Sequence, residues 1–337
     1  MSGIGVGIIG SGRHGSRYAN HVVRDVDGLR LAAISRRSML GAGQAAAWQC
    51  VWHPDWHDLV ADPRVEAVIA VVPPALNFEI ARRCAAEGKA LLVEKPLAAT
   101  SEAAAAIVEL FAGRNLPLTT GQTLRYNPVV RKLRELLPTI GSIYSFAANQ
   151  RLEPSPLAWH AEPALAGAGV SFHTAVHVFD ALRWISGLEV RRLMAVCRRR
   201  HNTVLEDLLA VLVEMDGEVL GTIDCSKVGQ ARTGRFEFVG SDGQLHGDQV
   251  HGTLELVRGS SVTRLQPGAP SNTIVPLLQD WHAFLVGEGP NPVTGEDGLT
   301  AVRLCGACLE SSREERWVTL RQLGVNCASQ RPAEEQP

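Results

Sequence analysis

Three glycines, a lysine and a pair of histidines are the residues of this chain whose types and spacing carry chemistry. Gly10, Gly12 and Gly15 follow the apolar run Ile4–Ile9 at G-x-G-x-x-G spacing in IGVGIIGSGRHG. In such a turn the first glycine permits the tight bend and the second lets backbone approach a pyrophosphate. The third lets the next helix pack on its strand. The helix start then offers its free N–H groups and positive dipole end to phosphate. With 32 glycines in 337 residues, this spacing arises by chance about 0.3 times. The context carries the reading: an apolar strand before, a helix-compatible segment after. This is a dinucleotide site for a nicotinamide cofactor, with Arg13 and His14 inside the turn.

Hydride transfer from a carbinol carbon needs a base within hydrogen-bond reach of the hydroxyl, and preferably a cation beside its oxygen. Lys95, in LLVEKPLA, is the candidate cation at a strand's carboxyl end, with Pro96 fixing the turn and Glu94 as a structural or cofactor-positioning partner. On a helix read at 171–186, His173, His177, Asp180 and Trp184 recur at +4, +3 and +4, which is one stripe. Asp180 reads as a structural acid of that face. His173 and His177 have zinc-ligand spacing, but no third ligand is identifiable, and no metal is expected. His53 and His57 read as surface residues of a loop broken by Pro54, and Cys305 and Cys308 as core residues of a helix.

Cofactor choice is written after the second strand, where an acid would bind the adenosine ribose and repel a 2′-phosphate. Here the chain reads Ser35-Arg36-Arg37 instead, a small hydroxyl and two guanidiniums that suit a 2′-phosphate. NADP(H) is favoured; NAD(H) remains possible.

The elements that position these residues divide at about residue 122. Up to that point strands at 4–9, 30–35, 66–72, 90–93 and 117–120 alternate with helices at about 14–26, 40–49, 76–87 and 101–113. Runs such as AVIAVV are too continuous for a half-exposed strand and fit a parallel sheet covered on both faces, so 1–122 is read as a doubly wound sheet. From 123 to 327 a helix (129–137) and a strand (142–150) precede the 171–186 helix, ended by Gly187. Strand candidates follow at 189–198, 206–215, 218–226, 234–240, 253–258 and 261–266, then helices at about 276–287 and 297–313. This is an α+β domain with a large, open, mostly antiparallel sheet. The polar residues 328–337 read as a frayed tail.

Composition excludes several classes. A net charge of −2 gives no electrostatic reason to expect nucleic acid or an anionic membrane, and no apolar run has the ~18 residues of a spanning helix. The first apolar run lacks a basic flank and is interrupted by glycine, so it is not read as a signal peptide. Seven scattered cysteines fit reduced thiols and a cytoplasmic location. A wide sheet without a second helical layer is expected to be too apolar to leave wet, which points to a homodimer or homotetramer joined through it.

The motifs together resemble the Gfo/Idh/MocA (glucose–fructose oxidoreductase/inositol dehydrogenase-like) family. Glu94-Lys95-Pro96 matches its signature. Four features follow in the family's order: Arg125-Tyr126-Asn127-Pro128, Trp159 ahead of Gly167 and Gly169, His177 with Asp180, and the strand-turn FEFVGSDGQL. The resemblance covers essentially the whole chain. It implies an N-terminal Rossmann domain and a dehydrogenase acting on CH–OH groups of sugars, cyclitols or amino-sugars. It also implies Lys95 and His177 as the catalytic pair and Pro73 and Asn77 near the nicotinamide, with Arg125 and Tyr126 either lining the cofactor–substrate crevice or packing at the domain hinge. Trp159 and His173 fall on the substrate side. Two positions depart from the pattern: Asn77 stands where the family often has histidine, and His173 where many members have aspartate. A neutral imidazole cannot supply the aspartate's fixed negative charge. Two other functions therefore stand beside the dehydrogenase: redox-assisted glycoside cleavage with retained NAD, and nucleotide binding without catalysis.

Overall fold

The computed structural model describes residues 3–320 except 203, 270 and 271; the tail read at 328–337 and Cys327 lie outside the described residues. In the first half, strands and helices alternate as β1 (Ile4–Ile9), α1 (Gly15–Arg24), β2 (Leu29–Ser35), α2 (Leu40–Trp48), β3 (Val51–His53) and α3 (Trp56–Ala61). They continue as β4 (Ala67–Ala70), α4 (Asn77–Ala86), β5 (Ala90–Glu94), α5 (Ser101–Ala112) and β6 (Leu118–Gly121). The six strands are parallel in the order β3-β2-β1-β4-β5-β6. Strand order reverses between β1 and β4, which opens a crevice at their carboxyl ends, beside the glycine turn.

Strict alternation along the central strands sorts their side chains into two cores. Val6, Ile8, Ile69 and Leu92 join one with Tyr18; Ile9, Val68, Leu91 and Val93 join the other with Ile80 and Ile107. Burial on both faces is why these strands carry no polar alternation. The segment 51–61 corrects the sequence reading: it is an edge strand and a short helix, not a surface loop. Pro54 falls between the two elements, where its missing N–H costs no ladder or helix bond. Asp55 caps α3 by accepting from the His57 amide, and His53 Nε2 lies 2.9 Å from buried Asp62.

The second half contains α6 (Pro128–Leu136), β7 (Ile143–Arg151), α7 (Pro163–Ala166), α8 (Val176–Ser186), β8 (Val190–Arg198), β9 (Leu208–Met215) and β10 (Leu220–Ser226). It continues with β11 (Thr233–Gly240), β12 (Gly243–Asp248), β13 (Thr253–Arg258), β14 (Ser261–Arg264), α9 (Ile274–Leu285), α10 (Gly295–Glu314) and β15 (Val318–Thr319). Nine strands form one sheet in the order β14-β13-β12-β11-β7-β10-β9-β8-β15, antiparallel except where β7 meets β10. β12 escaped the sequence reading because GQLHGD is polar and opens on glycine, the composition of a turn. The helix read at 171–186 begins as a wide π-turn over Ser171–Ala175 before α8.

Two expectations change. α9 does not close the second domain. Its Ile274, Leu277, Leu278 and Trp281 complete the Val6–Ile8–Tyr18 core of the first. The outer face of the large sheet is not uniformly apolar either. Exposed Val196, Leu212 and Leu220 share it with the cross-strand pairs Arg192–Glu214 and Arg151–Asp224. Those ion pairs let the face meet water at less cost than an aliphatic one would.

Candidate active site

The glycine turn is built as its sequence demands. Gly10 has φ +91° and its amide donates to the Ser35 carbonyl at 3.0 Å, pinning the turn to β2. A Cβ on Gly15 would lie 2.1 Å from the Gly10 carbonyl oxygen, whereas one on Gly12 would meet nothing within 4 Å. Gly10 and Gly15 are therefore required by local packing. Gly12 fronts open space at the start of α1, the approach a pyrophosphate needs. This cradle fits a dinucleotide.

At the carboxyl end of β2, Arg36 donates from Nη1 to the Ser11 carbonyl and to Gln44 Oε1, both at 3.1 Å, and from Nε to Ser38 Oγ. Gln44 in turn donates to the Ser11 carbonyl and to Ser16. Arg37 is exposed beside this knot, and Ser35 is buried beneath it. Gln44 escaped notice because α2 shows no amphipathic contrast to mark one polar residue.

Glu94 joins the turn to the carboxyl end of β5. Its Oε1 accepts from the Tyr18 hydroxyl at 2.6 Å and lies 2.9 Å from His14 Nε2; its Oε2 accepts from the Lys95 amide at 3.0 Å. Burial alone would raise Glu94, but the His14 bond and charge, Lys95 and Tyr18 together hold it below the usual carboxylate range. The Lys95–Pro96 peptide is cis. Asn77 clamps that turn, donating from Nδ2 to the carbonyls of Pro96 and Leu97 at 3.3 and 3.1 Å. Pro73 opens the short turn that precedes α4.

Lys95 Nζ reaches the second half, donating to the His173 carbonyl at 3.1 Å. Around His173 the structure gathers residues that the sequence keeps apart. Lys227 Nζ lies 3.2 Å from His173 Nδ1 and 3.4 Å from His160 Nδ1. The two imidazoles stack at 3.8 Å between centroids, and Trp159 meets their edges at 4.0 and 6.0 Å. Burial, then Lys227, depresses His173 far below the ordinary imidazole range and brings His160 to about 3. Both rings are neutral. Burial and then Lys95 depress Lys227 to about 8. His177 is pushed well down by burial, then by the charges of Lys95 and His14, and its buried Nδ1 has no hydrogen-bond partner among the described residues.

Not every residue expected here is here. Arg125 donates from Nε and Nη2 to the two oxygens of buried Asp180, at 2.9 and 2.6 Å, and also pairs with Asp297. Burial works against its charge, and the two carboxylates more than restore it. Its guanidinium thus locks α8 to α10 rather than lining the crevice. Tyr126 donates its hydroxyl to Asp280 and lies under Arg131, lining a separate groove of about 740 Å³ with Pro128 and Gln266. The stripe on α8 also splits. Asp180 goes to Arg125, and Trp184 to Arg134 at 4.2 Å, while His173 and His177 stay with the lysines. Cys305 is core, its thiol 3.2 Å from the Ser171 carbonyl and raised by burial.

Lys227, His160 and Gln122 were missed. Gln122 follows β6 and is fully buried, with neither side-chain amide atom partnered among the described residues. Lys227 follows β10 in an unremarkable SKVG, and its imidazole partners are 54 and 67 residues away, so no local spacing marks it.

Residues 4–122 match the model of the GFO/IDH/MocA oxidoreductase family with an NAD-binding Rossmann fold, and 130–246 match a GFO/IDH/MocA C-terminal domain. An inositol 2-dehydrogenase of Rubrobacter xylanophilus is 27% identical over 92% of this chain and 91% of its own length. A myo-inositol 2-dehydrogenase of Thermotoga maritima is 27% identical over 94% and 99%. A levoglucosan dehydrogenase solved with NADH and levoglucosan superposes with a TM-score of 0.85 at 21% identity, covering 95% of this chain and all of that one.

Proposed function

The chain belongs to the Gfo/Idh/MocA family of NAD(P)-dependent oxidoreductases, and on that premise we propose that it moves a hydride between nicotinamide and a secondary alcohol, or the matching ketone, of a sugar, cyclitol or amino-sugar. The observation that carries this reading is the Lys95–His173 contact, which joins the carboxyl end of β5 to the helix bearing His177. Relatives named for inositol and levoglucosan support the substrate class.

The turn at Gly10, Gly12, Arg13, His14 and Gly15 would hold the pyrophosphate, Ser35, Arg36 and Arg37 the adenosine ribose, and Pro73 and Asn77 the nicotinamide end. When bound, the nicotinamide supplies the hydride acceptor or donor. Lys95 Nζ holds the reacting oxygen and stabilises negative charge as it grows there. His177, kept neutral by burial, accepts the hydroxyl proton and returns it in the reverse direction. Glu94 fixes Lys95 by its backbone amide and leaves the ammonium free for the oxygen. His173 lends a hydrogen bond but no negative charge, so the proton of His177 is managed without a carboxylate beside it.

The guanidiniums after β2 support NADP(H) over NAD(H). The exposed Val196, Leu212 and Leu220 of the large sheet support a homodimer or homotetramer joined there, and the scattered cysteines support a reducing, cytoplasmic location. Light scattering at micromolar concentration checks the assembly, and a monomer refutes it. For the activity, the purified protein is screened with both oxidised and both reduced nicotinamide nucleotides against paired polyols and keto-sugars. Turnover of a cyclic or sugar secondary alcohol is the expected result. Tight nucleotide binding without turnover of any pair refutes the dehydrogenase and favours the non-catalytic reading.

A further inference from the structure

His14 stands in the glycine turn with its two ring nitrogens in different surroundings. Its Nε2 lies 2.9 Å from Glu94 Oε1, while the side chain as a whole stays 45% exposed. The ring meets Tyr18 edge-on at 5.5 Å between centroids. Glu94 is held ionised, with Oε1 accepting also from the Tyr18 hydroxyl and Oε2 from the Lys95 amide. A carboxylate only accepts, so Nε2 of His14 carries the imidazole proton. That bond is the one hydrogen bond of this side chain among the described residues. In the neutral ring Nδ1 is therefore a bare lone pair. Nδ1 is bonded to the ring carbon that bears Cβ, which keeps it on the backbone side, at the turn whose Gly12 fronts open space. A lone pair there repels a diphosphate, whereas an N–H donates a charge-assisted hydrogen bond to it. Exchange of tautomers gives no escape, because it would strip Nε2 of the proton that Glu94 accepts.

We propose that His14 is a proton-linked ligand of the nucleotide: the pyrophosphate draws a second proton onto its imidazole, so that binding takes up one proton from solvent. This rests on the dinucleotide reading of the turn and adds a proton to that step. The N–H bond forms at Nδ1, the ring becomes an imidazolium, and no other bond changes. Imidazole is the side chain whose charge changes near neutral pH, which places the uptake there. The groups that face the ring are Glu94 and Tyr18, then Lys95 and neutral His177 across the crevice, with Arg13 and Arg17 in its own segment. In the free protein one carboxylate favours the second proton and three cations oppose it. The two negative charges of a bound pyrophosphate reverse that balance. Once charged, His14 gives Glu94 a cationic partner of its own and leaves the Lys95 ammonium to the substrate.

The test is calorimetric titration of the whole protein with NADH at about pH 7.5 in PIPES, HEPES and Tris of equal ionic strength. The slope of observed enthalpy against buffer ionisation enthalpy counts the protons taken up. NADH is the first titrant because its pyrophosphate has no proton to exchange. With NADPH the 2′-phosphate titrates as well, and the difference between wild type and variant is read instead. The wild type should take up about half a proton or more. His14→Gln, whose amide can still donate to Glu94, and His14→Arg, which is always charged, should each bring uptake to about zero. The wild-type Kd for NADH should also weaken about tenfold between about pH 6.5 and 8.5, which checks the linkage without any variant. No uptake in the wild type, uptake that persists in a variant that binds, or a Kd flat over that range overturns the proposal. Failure of both nucleotides to bind overturns the dinucleotide reading itself, so the two failures are distinguishable.

Discussion

Lys227 and His173 meet with 3.2 Å between ammonium and Nδ1, although 54 positions separate them in the chain. The contact does two things at once. It holds the His173 ring neutral and fixes its proton on Nε2. It also draws β10 against the π-turn that leads into α8. A carboxylate at position 173 would instead form an ion pair with Lys227 and share a helix face with His177. The chemistry of this site therefore depends on the choice of imidazole over carboxylate there.

Removing the reacting groups should separate turnover from cofactor binding. General acid–base groups contribute about 10²–10⁴-fold. Lys95→Ala and His177→Ala should each lose at least about 100-fold in kcat while nucleotide affinity stays within a few-fold. Steady-state kinetics on an established substrate, paired with nucleotide titration, measures both. Near-wild-type turnover in both variants refutes the assignment.

The pH profile should report His177. It must be neutral to accept a proton, so activity is lost as pH falls through its pKa. Burial, then Lys95 and His14, depress that pKa, which puts the acid limb below the ordinary imidazole range. His173→Asp adds a negative charge near Lys227 and His177. It should raise both groups and move the acid limb to higher pH by about one unit. A pH–rate profile with an acid limb unmoved by His173→Asp counts against the coupling.

Cofactor preference rests on two guanidiniums. One charge-assisted contact to a 2′-phosphate contributes about 1.5–3 kcal/mol, roughly 10- to 100-fold in affinity. NADPH should therefore bind more tightly than NADH, and Arg37→Ala should narrow the gap. Arg36→Ala should weaken both nucleotides as well, because Arg36 also braces the Ser11 carbonyl. Equal affinities unaffected by either change exclude the preference.

The Arg125–Asp180 pair should matter for stability. Its side chains are 9% and 0% exposed, so removing Asp180 takes the bidentate partner from a buried guanidinium and leaves it the more exposed Asp297. Asp180→Ala should cost about 3–5 kcal/mol in urea unfolding, against under about 1 kcal/mol for the exposed pair Arg82–Glu79. A loss at the exposed-pair level would remove Arg125 from the list of elements holding α8 in place.

The sequence by itself determined five of the six strands of the parallel sheet, the glycine turn, and Lys95 at the end of β5. These are local properties: apolar runs buried on both faces, a turn in which Gly10 and Gly15 have no room for a Cβ, and one charged residue at a strand end. The sequence also carried the polar residues after β2 and the helix bearing His177. Only the tertiary structure decided which members of the His173–Trp184 stripe face the lysines. The π-turn shifts the phase of that helix, and Arg125 claims Asp180 from another element. It alone moved Tyr126 to another groove, and it alone brought Lys227 and His160 to His173. Strand ends such as β10 are adjacent to the first domain's crevice only after both sheets have formed, and periodicity within a segment holds no information about that meeting. The destination of α9 was hidden for the same reason. Its apolar face fits either core, and long-range packing against Val6, Ile8 and Tyr18 made the choice.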